Sequence, residues 1–267
     1  MTTSDLAEKR AALQEILTTH PPLMVAYSGG VDSTCLLAVA HTVLGDRVVG
    51  VIADSPSLPR ASLAEAMAVA KSLGVRVEVI QTTEIDDPAY ASNPLNRCYF
   101  CKAELFRSMD MLASERGFAA IAYGENADDP AHLRPGSQAA AEFSVIAPLK
   151  QAGLTKADVR ALSRDLGLPT ADAPAQPCLS SRIPHGTPVT REALAYVERG
   201  EAAIRALGFR ILRVRFLEGE PPGALVLVGP DELADALARA DEIQFALRRE
   251  GFGDVVVDPS GYLSPAP

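Results

Sequence analysis

Nowhere does the 267-residue chain carry an apolar run near the roughly 20 residues a membrane span needs. The opening stretch, Met1 to Arg10, is polar and charged and lacks the apolar core of a secretory signal. The expectation is a cytoplasmic protein with no membrane partner. Basic residues are also scarce: 25 Lys and Arg against 34 Asp and Glu leave a formal net charge of −9. That balance speaks against broad affinity for nucleic acid, which needs many cations to displace counterions. Four cysteines are too few for the disulfide scaffold of a small secreted domain. In a reducing compartment, spaced thiols more often serve metals or catalysis. The four histidines, His20, His41, His132 and His185, show no metal-type pairing.

What is present first is a strict alternation of strand and helix. Short apolar runs at 23–27, 47–53, 75–80 and 119–123 predict strands, and the helical stretches 34–44, 61–73 and 102–116 separate them. The Val- and Ile-rich second run is continuous, as in a strand covered on both faces. Such an order implies an α/β fold with a doubly wound parallel sheet and right-handed crossovers. Residues 129–148 read as loop, with Pro130 and an Arg134-Pro135-Gly136 turn, and Thr155 is placed to cap a helix running to Leu166. Five prolines between 169 and 188 mark an inter-domain segment. A helix (191–207), two strands (210–216, 224–228), a helix (231–249) and a strand (254–257) then form a smaller C-terminal α+β domain. The predicted division is 1–168, a linker 169–189 carrying Cys178, and a substrate-binding or oligomerisation domain 190–267.

Ser28-Gly29-Gly30-Val31-Asp32-Ser33 joins the first strand to its helix. A strand, a glycine turn and a helix present free backbone N–H groups to an anion, helped by the helix dipole. Gly29 and Gly30 remove Cβ atoms from the path of a phosphate, and Ser28 and Ser33 add hydroxyls. No Walker-type lysine follows, so γ-phosphoryl transfer of the P-loop kind is not expected. Asp32 beside a phosphate site makes sense if Mg²⁺ bridges the two.

These residues resemble the PP-loop of the ATP pyrophosphatases, which form AMP and pyrophosphate while adenylating a carboxylate or carbonyl oxygen. The resemblance implies an adenine nucleotide alpha hydrolase-like sheet, ATP as cosubstrate, Ala53, Asp54 and Ser55 near adenine, and Gly124 near the phosphates.

Cys98-Tyr99-Phe100-Cys101 is a C-x-x-C pair just before a predicted helix, Cys178 lies in the Pro-rich linker, and Cys35 reads as a small core residue. For the pair alone, half a zinc site, a redox dithiol and iron–sulfur ligation are all open. Arg182 and His185 near Cys178 favour the thiolate, which attacks activated acyl groups such as adenylates.

The whole chain resembles the LarE-type family of ATP-dependent sulfurtransferases, which act on pyridinium-3,5-biscarboxylic acid mononucleotide in nickel-pincer cofactor biosynthesis. The likeness runs through Ser28–Ser33, Asn96–Lys102, Gly124 with Asn126, Asp128 and Asp129, Arg134-Pro135-Gly136, Pro177–Arg182 with Gly186, and Arg213-Val214-Arg215. It implies adenylation of a substrate carboxylate and conversion to a thiocarboxylate. The sulfur comes from Cys178, consumed to dehydroalanine, or from a sulfide on a [4Fe–4S] cluster held by Cys98, Cys101 and Cys178, and these three cysteines of the chain fit the second branch. It also implies Ser180, Ser181, Arg182, Arg213 and Arg215 on the substrate phosphate, Glu201 as a metal-binding or catalytic carboxylate, and a homo-oligomer, commonly a hexamer. By its residue type alone Glu201 reads as a surface carboxylate. Ala171 and Ala173 stand where the family often has Trp and Lys, and Glu125 where Thr is more usual. Competing expectations are a tRNA thiolation enzyme and a non-catalytic nucleotide or iron–sulfur scaffold.

Overall fold

The computed structural model describes residues 3–129 and 135–262. Pro130, His132 and Arg134, singled out above, lie outside the described residues. The chain divides into two compact units, residues 1–84 with 96–176 and residues 85–95 with 177–267. The division therefore falls inside the predicted linker, and an excursion at 85–95 joins the second unit.

In chain order the first unit begins α1 (Thr3–Thr18), β1 (Leu23–Ala26), α2 (Val31–Leu44), β2 (Val48–Asp54), α3 (Arg60–Ser72) and β3 (Val77–Gln81). The short helix α4 (Pro88–Ala91) belongs to the second unit. The first unit resumes with α5 (Arg97–Arg116), β4 (Ala120–Tyr123), α6 (Pro135–Glu142), α7 (Pro148–Gln151) and α8 (Lys156–Asp165). Its four strands are all parallel in the order β3-β2-β1-β4, the doubly wound α/β fold. Side chains alternate across a strand, so Leu23, Val25 and Tyr27 enter one core with Leu36, Leu37 and Leu162. Met24 and Ala26 enter the other with Phe106 and Met109. Burial on both faces is why β1 carries no polar residue. Thr155 caps α8 as expected, closing a capping box with the fully buried Asp158.

Two local expectations are corrected. Helix α5 begins at Arg97, not Lys102, so Cys98 and Cys101 lie within it. Pro94 is the last residue before it that breaks a helix, and the Tyr99 hydroxyl anchors the first turns on Glu142 at 2.6 Å. Residues 135–142 are helical rather than loop, because Pro is tolerated in a first turn and Ala139 and Ala140 bury against Phe106 and Tyr123.

The second unit contains α9 (Arg191–Ala206), β5 (Leu212–Leu217), β6 (Gly223–Val228), α10 (Pro230–Ala238), α11 (Ala240–Arg249) and β7 (Val255–Val257). Strands β5 and β6 pair antiparallel and β6 and β7 parallel, around a core of Val214, Val226, Ile243 and Leu247. The single helix expected at 231–249 is broken at Arg239. Its backbone leaves the helical region (φ −104°, ψ 22°) and its guanidinium lies 5.0 Å from the Phe209 ring centre. No helix among the described residues is long and apolar enough to cross a membrane.

Candidate active site

Strand order reverses beside β1, where β2 leads one way and β4 the other, and in open α/β sheets ligands bind outside the carboxyl ends of strands at such a point. A cleft of about 180 Å³ opens there. Of the residues expected to bind nucleotide, Ser28, Gly30, Asp32, Ser33, Ala53 and Gly124 line it. Gly29, Asp54 and Ser55 do not. Gly29 has φ +75°, and a Cβ there would sit 2.7 Å from the Ala66 Cβ, so it shapes the loop from behind. Asp54 is held by Arg60 at 2.5 Å and Gln81 at 2.9 Å, and buried Ser55 shares its hydroxyl with Ser57 at 2.8 Å. Gly124 ends β4 against the first turn of α2, where a Cβ would lie 2.7 Å from the Ser33 nitrogen. The loop is braced internally, the Ser28 N–H donating to Ser33 Oγ at 3.2 Å.

Asp32 projects from the first turn of α2 and is bound by the Lys156 ammonium at 2.5 Å and the Asn126 amide at 3.3 Å. The loop's missing lysine is thus matched by one delivered from the start of α8, a contact that a separation of 124 positions in the sequence concealed. Lys102 also lines the cleft, with its ammonium 5.5 Å from the Phe106 ring centre and 5.9 Å from that of Tyr123. Burial lowers its pKa against the opposing pull of Cys101, Cys98 and Glu125. Its signal in the sequence was only its place after the C-x-x-C pair.

Glu125 is buried behind the cleft and accepts from the Tyr123 hydroxyl, from Ser137 at 2.5 Å and, as an ion pair, from Lys150 at 3.2 Å. Burial pushes its carboxyl up, but the bonds from Ser137, Tyr123 and Lys150 win and hold it below the usual glutamate value. A carboxyl depressed on folding stabilises fully above its unfolded pKa, and the gain is lost as pH falls through the folded value. Glu125→Gln is therefore expected to cost about 1.5–3 kcal/mol at pH 7 and to shrink the acid-side loss of stability, read by urea unfolding between pH 7 and 3. Equal acid sensitivity in the variant would refute the assignment.

Within the second unit, Cys178 precedes a turn of 3-10 helix, Leu179–Arg182. Four of the five groups expected on a substrate phosphate, Ser180, Ser181, Arg182 and Arg213, are engaged within the protein. Ser180 is fully buried and bonds the Tyr90 hydroxyl at 2.7 Å. Ser181 donates to the Cys178 carbonyl at 2.8 Å. Arg182, 3% exposed, is paired through Nε with Glu201 at 2.7 Å. Glu201 is itself 1% exposed, which corrects the surface reading, and it also accepts from Arg205 at 2.9 Å and the Val214 N–H at 3.3 Å. Arg213 and Arg215 share the outer face of β5, as their spacing predicted. Arg213 lies over the Tyr262 ring at 4.8 Å, and burial with the nearby Arg182 charge lowers its pKa.

Of the cysteines, Cys35 is buried in the core as expected, and burial pushes its thiol up to about 11. Cys98 and Cys101 share one face of α5 by their spacing of three but belong to the first unit, and Cys178 to the second. Among the described residues no group of three or more His, Cys, Asp or Glu is assembled to hold a metal ion. Cys98 and Cys101 by themselves offer two of the three thiolates that such a cluster needs. Mg²⁺ asks less of the protein, since it takes one or two carboxylates with substrate phosphates and water, and Asp32 in the cleft fits that demand.

The NAD synthase family matches residues 11–129, the span from α1 through the cleft, which aligns the first unit with nucleotide-using α/β proteins. GMP synthase of Chlamydia caviae is 27% identical over 164 residues, 55% of this chain and 32% of that protein. Two relatives match at nearly full length. An uncharacterized protein of Synechocystis sp. is 42% identical over 97% of this chain and 96% of its own. The pyridinium-3,5-bisthiocarboxylic acid mononucleotide synthase of Lactiplantibacillus plantarum is 33% identical over 97% of this chain and 93% of its own. The chain belongs to the family of pyridinium-3,5-bisthiocarboxylic acid mononucleotide synthases.

Proposed function

We propose that the protein is an ATP-dependent sulfurtransferase that adenylates a carboxylate of pyridinium-3,5-biscarboxylic acid mononucleotide and converts it to a thiocarboxylate. The observation that carries this reading is the cleft at the strand-order reversal. There the Ser28–Ser33 loop, Asp32 with Lys156, and Lys102 bring backbone N–H groups, one carboxylate and two ammonium groups to one place. That set suits a triphosphate whose α-phosphorus is attacked and whose pyrophosphate leaves, with Lys156 and Lys102 facing the charge that develops. Mg²⁺, when bound beside Asp32, would supply neutralisation of the phosphates.

In the second step the Cys178 sulfur attacks the acyl carbon of the adenylate, a C–S bond forms, and the C–O bond to AMP breaks. The thioester then yields the thiocarboxylate by cleavage of the Cys178 Cβ–S bond with loss of the α-proton, which leaves dehydroalanine. Arg213 and Arg215 are the proposed ligands of the substrate phosphate. The partner is a small mononucleotide, and the net charge of −9 favours it over transfer RNA. Self-association into a homo-oligomer is part of the same proposal.

The test is turnover of the anaerobically purified protein with ATP and the mononucleotide, followed by AMP, pyrophosphate, intact mass, iron and sulfide. Equimolar AMP and pyrophosphate with one thiocarboxylate per chain, and a chain lighter by the elements of H₂S, are expected. Repeated turnover with an unchanged mass and bound iron would move the sulfur source to a cluster. Pyrophosphate release only in the presence of transfer RNA would overturn the substrate.

A further inference from the structure

Arg182 and Glu201 form a buried ion pair within the second unit, and their geometry differs from that of a ligand site. The guanidinium is planar and has two usable edges. One edge, Nε and Nη2, meets the Glu201 carboxylate at 2.7 and 3.2 Å. On the opposite side Nη1 donates to the Pro177 carbonyl at 2.6 Å, the Cys178 carbonyl at 3.0 Å and Ser181 Oγ at 3.0 Å. The Cys178 carbonyl accepts twice more, from the Ser181 N–H at 3.0 Å and the Ser181 hydroxyl at 2.8 Å. Glu201 in turn accepts the N–H of Val214, the β5 residue between Arg213 and Arg215. A continuous chain of bonds therefore runs from the backbone at Cys178, through Arg182 and Glu201, to the middle of the strand that presents the two outer arginines.

We infer that Arg182 and Glu201 are positioning residues. They form a strut that fixes the distance between the Cys178 sulfur and a phosphate seated on Arg213 and Arg215. The inference rests on the proposed reading of Cys178 as the attacking sulfur and deepens it. Both members are almost fully buried, at 3% and 1% exposure, so neither is presented to a substrate. A buried pair is costly to maintain for stability alone, and a fixed geometry is what it supplies in return. The reacting atoms of the transfer step must meet at about 3–3.5 Å, and a displacement of about 1 Å can cost on the order of 100-fold in rate.

The strut is tested with Arg182→Lys, which keeps a positive charge but cannot bind the carboxylate and the two carbonyls at once. The single-turnover rate constant for thiocarboxylate formation should fall about 100-fold, while the mononucleotide concentration giving half the maximal rate and the rate of pyrophosphate formation stay within about threefold of the parent. Ser181→Ala removes only the hydroxyl bridge, and should lower the same single-turnover rate constant about fivefold, again without moving the half-saturating mononucleotide concentration. A raised half-saturating mononucleotide concentration with an unchanged maximal single-turnover rate would make Arg182 a substrate ligand and overturn the inference. So would pyrophosphate formation and sulfur transfer falling together with the melting temperature. If Arg182→Lys does not fold, Ser181→Ala decides, and transfer at the parent rate refutes the strut. Failure of the underlying reading is seen in another protein: Cys178→Ala that still transfers sulfur at the parent rate would remove Cys178 from the chemistry.

Discussion

Asp32→Ala is expected to reduce pyrophosphate release by about 1,000-fold, equivalent to about 4 kcal/mol of transition-state stabilisation. The carboxylate lies in the cleft at the first turn of α2, and it is the partner of the Lys156 ammonium at 2.5 Å. Its removal strips the phosphate site of its negative anchor for a divalent cation and leaves Lys156 to settle on whatever acceptor is nearest. Two consequences follow from one deletion, so the loss should exceed that of any single hydroxyl in the loop. Asp32→Asn, which keeps the shape and can still accept from Asn126, separates charge from geometry and should lose nearly as much. The measurement is ATP–pyrophosphate exchange with the mononucleotide present. A parent-like exchange rate in Asp32→Ala would remove Asp32 from the adenylation step.

Cys178→Ala carries the second large effect, with a different signature. On the proposed reading adenylation uses the cleft of the first unit, and the thiol enters only afterwards. Pyrophosphate should therefore still form, at a rate within about threefold of the parent, while thiocarboxylate falls below detection, a loss of about four orders of magnitude or more. The adenylate then has only water to react with, so the expected outcome is futile ATP hydrolysis with the carboxylate returned unchanged. Product analysis by mass spectrometry checks both halves in one experiment. Cys98→Ala and Cys101→Ala serve as comparisons, since their thiols lie on α5 in the other unit. If they abolish transfer as completely as Cys178→Ala does, the sulfur path involves all three.

Much of the first unit was legible because its signals are local. Strand β1 announces itself by being apolar at every position, and Gly74 and Gly117 mark the ends of their helices with the left-handed conformation that glycine adopts readily. The errors arose where a local rule met a tertiary one. The start of α5 was missed because Cys, Tyr and Phe are indifferent helix formers, and it is the packing of Tyr99 that decides. The break at Arg239 was missed because Arg favours helix, whereas its side chain is held by the Phe209 ring, the Leu207 carbonyl, Asp235 and Glu242 together.

The site divides in the same way. A contiguous loop such as Ser28–Ser33 can be read from its order of residues. Lys156 on Asp32 cannot, because charge complementarity across 124 positions leaves no periodic trace. For Ser180 and Arg182 the family resemblance pointed to a ligand, and for Glu201 residue type pointed to water, whereas burial turned all three inward.

The excursion at 85–95 bears on how such a protein can be taken apart or recombined. Its Tyr90 ring is 1% exposed, and its hydroxyl meets Ser180. The Asn93 amide, wholly buried, donates to the carbonyls of Ile183, Pro184 and Thr187. A fragment ending at 176 would carry these groups without their mates, and one beginning at 177 would lack the residues that pin the turn after Cys178. The halves are interlaced rather than strung in tandem, so exchanging one of them between relatives would require two segments of chain to travel together. A single crossover between residues 96 and 176 would separate these buried polar groups from their mates on both sides of the cut.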